Sequence, residues 1–435
     1  MKLNYSIIFA IPLMLVLMMD EMYIKMMAPE NELLQINLFN LLVKGSAVLS
    51  FCYSIINFQH MSPYMRVAFF LLTAYVFALV LESYFKYSTF MVYPHVFLKL
   101  FLLSYTFFIY AFYKKNPHLN FKHIVYFILV GFVLHLFIVH PESLSISAFT
   151  SHERGAVATS VYMLMIPLMY FLGTYVYGGK LYNLFATFFV LGLIVFFQHR
   201  TVWICSTFAI AVFYLYIKFK ADKPINLIGR MLPIAFIVTV VSIVMSAFIF
   251  TMNPEIITKF QENFTDIENY DSQGTGGWRY LQFLSYLPFI EDNLMIGMRF
   301  EGFELPIQFY QEDIDKPVFE DGNGHFFHSF YVDILFYVGM AGMFIYFMTM
   351  IHPIRKSITK SPLPITQIIL LTFIASGFVY GISYILPPFY FGVLGWCITL
   401  IEEKNEAVTS YLKRSAQRML ARRRTRQLQA PVSYR

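Results

Sequence analysis

Charge is scarce in this chain. Asp, Glu, Lys and Arg make up 13% of its 435 residues, whereas 58% are hydrophobic. A soluble domain of that length needs far more charge to cover its surface, so a soluble fold is excluded. Cysteine is nearly absent too. Cys52, Cys205 and Cys397 all fall inside apolar runs, which leaves no disulfide framework and no thiolate metal cluster. The sequence has no nucleophile elbow, P-loop or zinc-ligand spacing. It lacks an internal repeat of the kind that marks inverted-repeat transporters. Nor does a small-residue cleavage site follow the first apolar run, only "MMDEMYIKMM", so that run is expected to be a retained helix.

What is present is a succession of apolar runs of about 17–25 residues, each long enough to cross ~30 Å of hydrocarbon. The expectation is an all-α polytopic membrane protein with twelve spans. They fall near 5–19, 33–57, 64–81, 88–112, 121–139, 156–177, 181–197, 201–217, 227–251, 328–350, 364–382 and 384–401. Residues 1–401 then form the membrane domain, with a large loop at 252–327, and residues 402–435 a basic tail. With both termini cytoplasmic, 22 Lys and Arg lie on cytoplasmic segments or at the cytoplasmic ends of spans, eight on external segments and two, Lys44 and Lys99, deeper inside spans. Twenty-one of the 26 acids are external. That is the positive-inside arrangement, and it puts loop 252–327 outside. The "RRRTR" tail reads as a topological and lipid-headgroup anchor. No recognition module accompanies it, so nucleic acid is not an expected partner.

Few charged groups stand where this topology disfavours them. Arg200, in "FFQHRTVWI", lies at a tight external hairpin beside His199, where it either snorkels to headgroups or serves a site. Arg154, in "SHERGAVATS", is on another short external connection. Arg279 follows a glycine-rich run in "GTGGWRYLQFLSYLPFI"; it reads as an ion-pair partner or as an anion-binding fork, bidentate to phosphate oxygens. His328 opens the tenth span as a cap or a catalyst. Asp333, about 7.5 Å deeper, is costly to bury and needs a partner or a water-filled cavity. It lies ~140° around the helix from His328, so the two do not pair directly. Asp313 and Asp315 have the D-x-D spacing of metal-held nucleotide sugars, yet they sit in a loop that is acidic throughout.

Four blocks, in order, resemble the O-antigen ligase and polymerase superfamily. From His328 the chain reads H-S-x3-D-x5-G-x2-G, ending at Gly339 and Gly342, similar to the family's H-N-x3-E-x5-G-x2-G. Upstream, "ERGAVATSVYMLMIPLMYF" resembles its R/G/T/N-rich segment, and Arg200 its S/T-R motif. "GGWRYLQFLSYLPFIEDNLMIGMRFEGF" resembles its R-x3-W…P-x2-G-x-G-x2-F block, led by Arg279 with Gly297 matching a glycine. There are departures: Ser329 replaces Asn, His199 replaces Ser or Thr, Asn293 stands where proline is common, and Arg299 occupies a glycine position.

The resemblance implies a GT-C-like architecture in a bacterial inner membrane, with the site facing the periplasm. It implies a donor glycan on polyprenyl pyrophosphate and, as acceptor, a sugar hydroxyl of lipid A-core (ligase) or of a lipid-linked repeat unit (polymerase). The ligase is slightly favoured, by the compact loop after the fifth span. No metal or other cofactor is implied. His328 would be the catalytic base, with Arg200 and Arg279 on the pyrophosphate. Asp333, Arg154, Arg299, His199 and Ser329 would support them. A lipid-linked oligosaccharide flippase is the alternative of another class, kept open by the in-span Lys44 and Lys99, with a non-catalytic scaffold as a third reading.

Overall fold

The computed structural model describes residues 5–29, 31–144, 155–230, 232–234, 236–237, 239–240, 274–305, 310–311, 316–317, 327–360 and 362–403. These residues are almost wholly helical; the strands among them are two short antiparallel pieces, β1 (Tyr310–Gln311) and β2 (Lys316–Pro317). Among the described residues, eight helices are long and apolar enough to cross a membrane, nine if a bent pair is one span, and two shorter apolar helices of 10–17 residues accompany them. The chain is therefore an all-α multi-pass membrane protein. The expected ninth span lies largely outside the described residues, as do Arg154, Asp313, Asp315 and most of the 402–435 tail.

In chain order the helices are α1 (Ile11–Leu17), α2 (Glu21–Met27), α3 (Glu32–Ile56), α4 (Pro63–Tyr87), α5 (Pro94–Phe101), α6 (Ser104–Lys115) and α7 (Phe121–Val139). There follow α8 (Ala158–Met163), α9 (Met165–Gly178), α10 (Leu181–Phe196), α11 (Arg200–Lys220), α12 (Gly274–Asp292) and α13 (Arg299–Glu304). The last are α14 (Phe330–Thr359), α15 (Ile365–Ser383) and α16 (Pro388–Glu402). Their starts are legible chemically. Asp20, Asn31 and Ser62 cap α2, α3 and α4 through side-chain oxygens, and proline opens α4, α5 and α16, where the missing N–H has no partner to lose.

Several expected straight spans are broken. The expected first span, 5–19, is followed by a 94° bend, beyond which α2 runs as a second short helix. The fourth and sixth are each interrupted briefly, between α5 and α6 and between α8 and α9, yet each pair still makes one span long and apolar enough to cross. α9 and α16 are buried along nearly their whole length and form the centre of the bundle. At one end, Glu402 accepts from Ser62 (2.8 Å) and Tyr110 (2.5 Å), and His352 Nε2 lies 2.9 Å from it. That cluster clamps α4, α6, α14 and α16 together. Near the same end Leu363 N donates to Lys220 O (2.7 Å), joining the end of α11 to the start of α15.

Candidate active site

From that junction α11 and α15 run side by side in opposite directions. Twenty-one residues separate Ala221 from Arg200, and the same number separates Leu363 from Tyr384. At 1.5 Å per residue both climb about 31 Å, so Arg200 and Tyr384 stand level at the far end of the bundle. Arg200 is held there by its neighbours. Gln198 takes a left-handed φ of 53° to turn the chain, and the buried His199 places Nε2 2.8 Å from Ala156 O. Trp203 Nε1 donates back to Ile194 O at 3.0 Å. His199 thus fastens the hairpin to the segment leading into α8.

Tyr384 is the ring on which two further groups converge. The Arg279 guanidinium carbon lies 5.0 Å from its centroid, and the His328 ring meets it edge-on at 6.5 Å. Both side chains are half-buried. Burial, reinforced by the charge of Arg279, pushes the His328 imidazole down to about 4, so it is neutral at physiological pH. Tyr384 continues a column of stacked rings, 5.2 Å from Tyr380, which is 4.0 Å from Tyr162. Sequence reasoning missed Tyr384. It follows α15 directly, in "SYILPPF", and the residues alone gave no signal for it.

Ser329, at the mouth of α14, does not cap that helix; its hydroxyl donates to Gly381 O at 3.3 Å and so holds α14 to the end of α15. Tyr331 reinforces the contact by donating to Phe378 O at 2.6 Å. Asp333 faces elsewhere. It is 1% exposed and receives both oxygens' hydrogen bonds from Lys99 Nζ, at 2.6 and 2.8 Å. Lys99 also lies 4.9 Å from the centre of the Tyr337 ring. The aspartate therefore has a partner, as its burial cost demanded, but that partner is on α5. Asp333 thus forms an ion pair with α5.

The glycine positions of the two resembling blocks meet each other. Gly339 adopts φ 59°, ψ −165°, a region open in practice to glycine alone, and interrupts α14. A Cβ there would lie 2.5 Å from Gly297 N, and one on Gly297 would lie 2.5 Å from Tyr337 C. The amides freed by the break are satisfied across this contact. Met340 N donates to Leu294 O (2.8 Å), Ala341 N to Met295 O (2.9 Å) and Met298 N to Phe336 O (2.7 Å). Tyr75 closes it by donating to both Ile296 O and Val338 O. In a membrane such backbone groups must find partners inside the protein, and here a short docked loop supplies them. The same loop is continuous with α12, so the segment bearing Arg279 is locked to the helix that follows His328.

The departures from the family pattern also find reasons. Arg299 has φ 51°, the left-handed conformation for which glycine is the easy choice. Its side chain compensates, with Nε 3.0 and 2.8 Å from the Glu82 oxygens and Nη1 2.8 Å from Gly297 O. Arg299 therefore anchors α13 and the docked loop to α4. Asn293 donates through Nδ2 to Phe289 O at 3.1 Å and ends α12.

Two arginines and a histidine thus stand at one end of a multi-pass membrane bundle. Residues 185–347 match the family model of the O-antigen ligase, a stretch that takes in Arg200, Arg279, Gly297, His328 and Gly339. That match makes this part of the chain similar to the O-antigen ligase family. No curated protein matches it.

Proposed function

We propose that the chain transfers a glycan from a polyprenyl pyrophosphate to a sugar hydroxyl at the external face of a bacterial inner membrane, in a GT-C-like architecture and without a metal ion. The observation that carries this reading is the convergence of Arg279 and His328 on Tyr384, with Arg200 at the same end of the bundle. The acceptor oxygen attacks the anomeric carbon and gives its proton to neutral His328. The bond from that carbon to the pyrophosphate oxygen breaks, and polyprenyl pyrophosphate leaves with the electron pair. Arg200 and Arg279 stabilise the charge that develops on it. Tyr384 holds the Arg279 fork by a cation–π contact.

Arg279 gives the base a condition. Its charge disfavours protonation of His328. Once a pyrophosphate neutralises that charge, the imidazole becomes more basic, so the proton acceptor reaches working strength only with donor in place. A ligase acting on lipid A-core remains the favoured form; a polymerase is the alternative within the family. The flippase reading loses support, because Lys99 is taken up by Asp333 and does not line a through-path.

The test is genetic and then chemical. Deletion of the gene should cause complete lipid-linked polymers to accumulate if the protein is a ligase, and single repeat units if it is a polymerase. In a purified reaction with lipid-linked donor, His328→Ala should lower turnover by ~10²–10⁴-fold while changing donor affinity little. Full turnover in that variant would remove His328 from the role of base.

A further inference from the structure

On the other side of α14 lies a charge that the transfer site does not use. Asn37, Asn40 and Lys44 stand at i, i+3 and i+7 of α3, hence on one face. The stripe is about 10 Å long. It runs along a helix otherwise turned to lipid, where Leu33, Leu41 and Leu49 are 70–75% exposed. Lys44 is itself exposed, and it is the twelfth of the 24 residues of the apolar span Leu33–Ile56. Its Cα is therefore some 16 Å from either end of that span, beyond what snorkelling of one lysine covers. It makes no hydrogen bond or ion pair with the described residues. A lysine in that position costs about 2.5–3.5 kcal/mol unless something answers its charge.

Across from the stripe, α5 packs on α3 and presents His95 and Lys99 one turn apart. Lys44 and Lys99 both stand within electrostatic reach of His95. Lys99 is neutralised by Asp333, which leaves the charge of Lys44 as the excess. His95 Nε2 is buried with no hydrogen-bond partner among the described residues. α14 separates this cluster from the transfer site. Asp333 points to α5, whereas Tyr331, two residues away and so on nearly the opposite face, points to α15.

We propose that the cleft between α3 and α5 holds the phosphate group of a membrane lipid, with Lys44 as its counter-ion, Asn37 and Asn40 lining its approach from the bilayer surface and His95 Nε2 as a hydrogen-bonding contact. A second copy of the chain is a poor occupant, because a two-fold contact through this stripe sets Lys44 against Lys44. An anionic lipid answers the charge and reaches the cleft sideways. The proposal needs only that the chain lies in a bilayer, and it stands whether or not His328 is a base.

Native mass spectrometry of the purified full chain tests it, with phosphatidylglycerol and polyprenyl phosphate offered separately against a phosphatidylcholine background. The wild type should retain one copy of at least one of these anionic lipids. Lys44→Gln should lower its occupancy at least tenfold, and Lys44→Arg should keep it. The lipid that is retained identifies the source, a bulk phospholipid or a polyprenyl carrier. Equal retention by wild type and Lys44→Gln overturns the site. A measurement on the wild type alone guards against a variant that fails to fold. In nanodiscs, the chosen anionic lipid should protect Lys44 from an amine-acylating reagent, and equal labelling in neutral and anionic bilayers would also overturn the proposal.

Discussion

Arg279→Gln should raise the pH at which His328 takes up its proton, and Arg279→Lys should not. Arg279 and His328 lie 5.0 and 6.5 Å from one ring centre, which caps their separation at about 11.5 Å. At that distance, with an effective dielectric constant of about 20, one positive charge costs the imidazolium ~1.4 kcal/mol, or about one pH unit. Burial is the larger cause of the depression and remains in the variant. The midpoint should therefore move from about 4 to roughly 5, still below the ~6.5 of a free histidine. In the proposed mechanism the neutral ring is the base, so the rate falls as pH drops through the midpoint of the donor complex, which in the wild type lies above the donor-free value because the pyrophosphate has already answered the charge of Arg279. Arg279→Lys keeps the charge and the midpoint, yet loses the bidentate fork and with it most of the turnover. Histidine-selective NMR of the detergent-solubilised protein reads the midpoint without donor, and single-turnover rates read it with donor. An unmoved midpoint in Arg279→Gln, or a wild-type midpoint at 6.5, would refute the coupling. The sign for stability is the same. A histidine whose folded pKa is lowered contributes fully above about 6.5 and progressively less as pH falls toward 4.

Gly339→Ala should destabilise the protein by at least ~1–3 kcal/mol from backbone conformation alone, with a further cost from the contact 2.5 Å from Gly297 N; thermal unfolding in detergent measures it, and an unchanged midpoint would mean that the break in α14 is not fixed. Asp333→Ala should cost ~3–5 kcal/mol by leaving Lys99 charged and buried, whereas the double change Lys99→Met with Asp333→Leu should recover most of the loss; a double variant no better than the single one would make the pair more than a mutual neutralisation. Cysteine at Ser272 should react with a membrane-impermeant thiol reagent in intact spheroplasts, and labelling only after lysis would invert the orientation on which the site depends.

The membrane class was legible because it rests on composition and run length, which need no partner. Asp333 shows where that legibility stops. The cost of burying a carboxylate announces that a partner exists, but Lys99 lies 234 residues away, and nothing local to either residue names the other. Arg299 shows the reverse case. Its place in a glycine position is a departure from the family pattern, and its φ of 51° gives the reason glycine is usual there. The Glu82 pair is then what lets an arginine remain. Broken helices were not legible, since an apolar run of 25 residues reads alike whether it is straight or bent.

The docking of Gly297 on Gly339 also gives a physical reason for two blocks of residues to occur together in one chain. The block led by Arg279 ends in a loop whose carbonyls take the amides of Met340 and Ala341, and the block led by His328 supplies the break that frees those amides. Neither half is stable in a bilayer alone, because the loop would bury unpaired carbonyls and the broken helix unpaired N–H groups. The cost of each is met by the other. A consequence follows for the site: any change that loosens this contact should separate Arg279 from His328, even though neither glycine is among the groups that converge on Tyr384. Gly297→Ala is thus expected to weaken the Arg279 effect on the His328 midpoint as well as to destabilise the fold, and a variant that unfolds more easily yet keeps the midpoint at about 4 would show that Tyr384 alone holds the two groups in register.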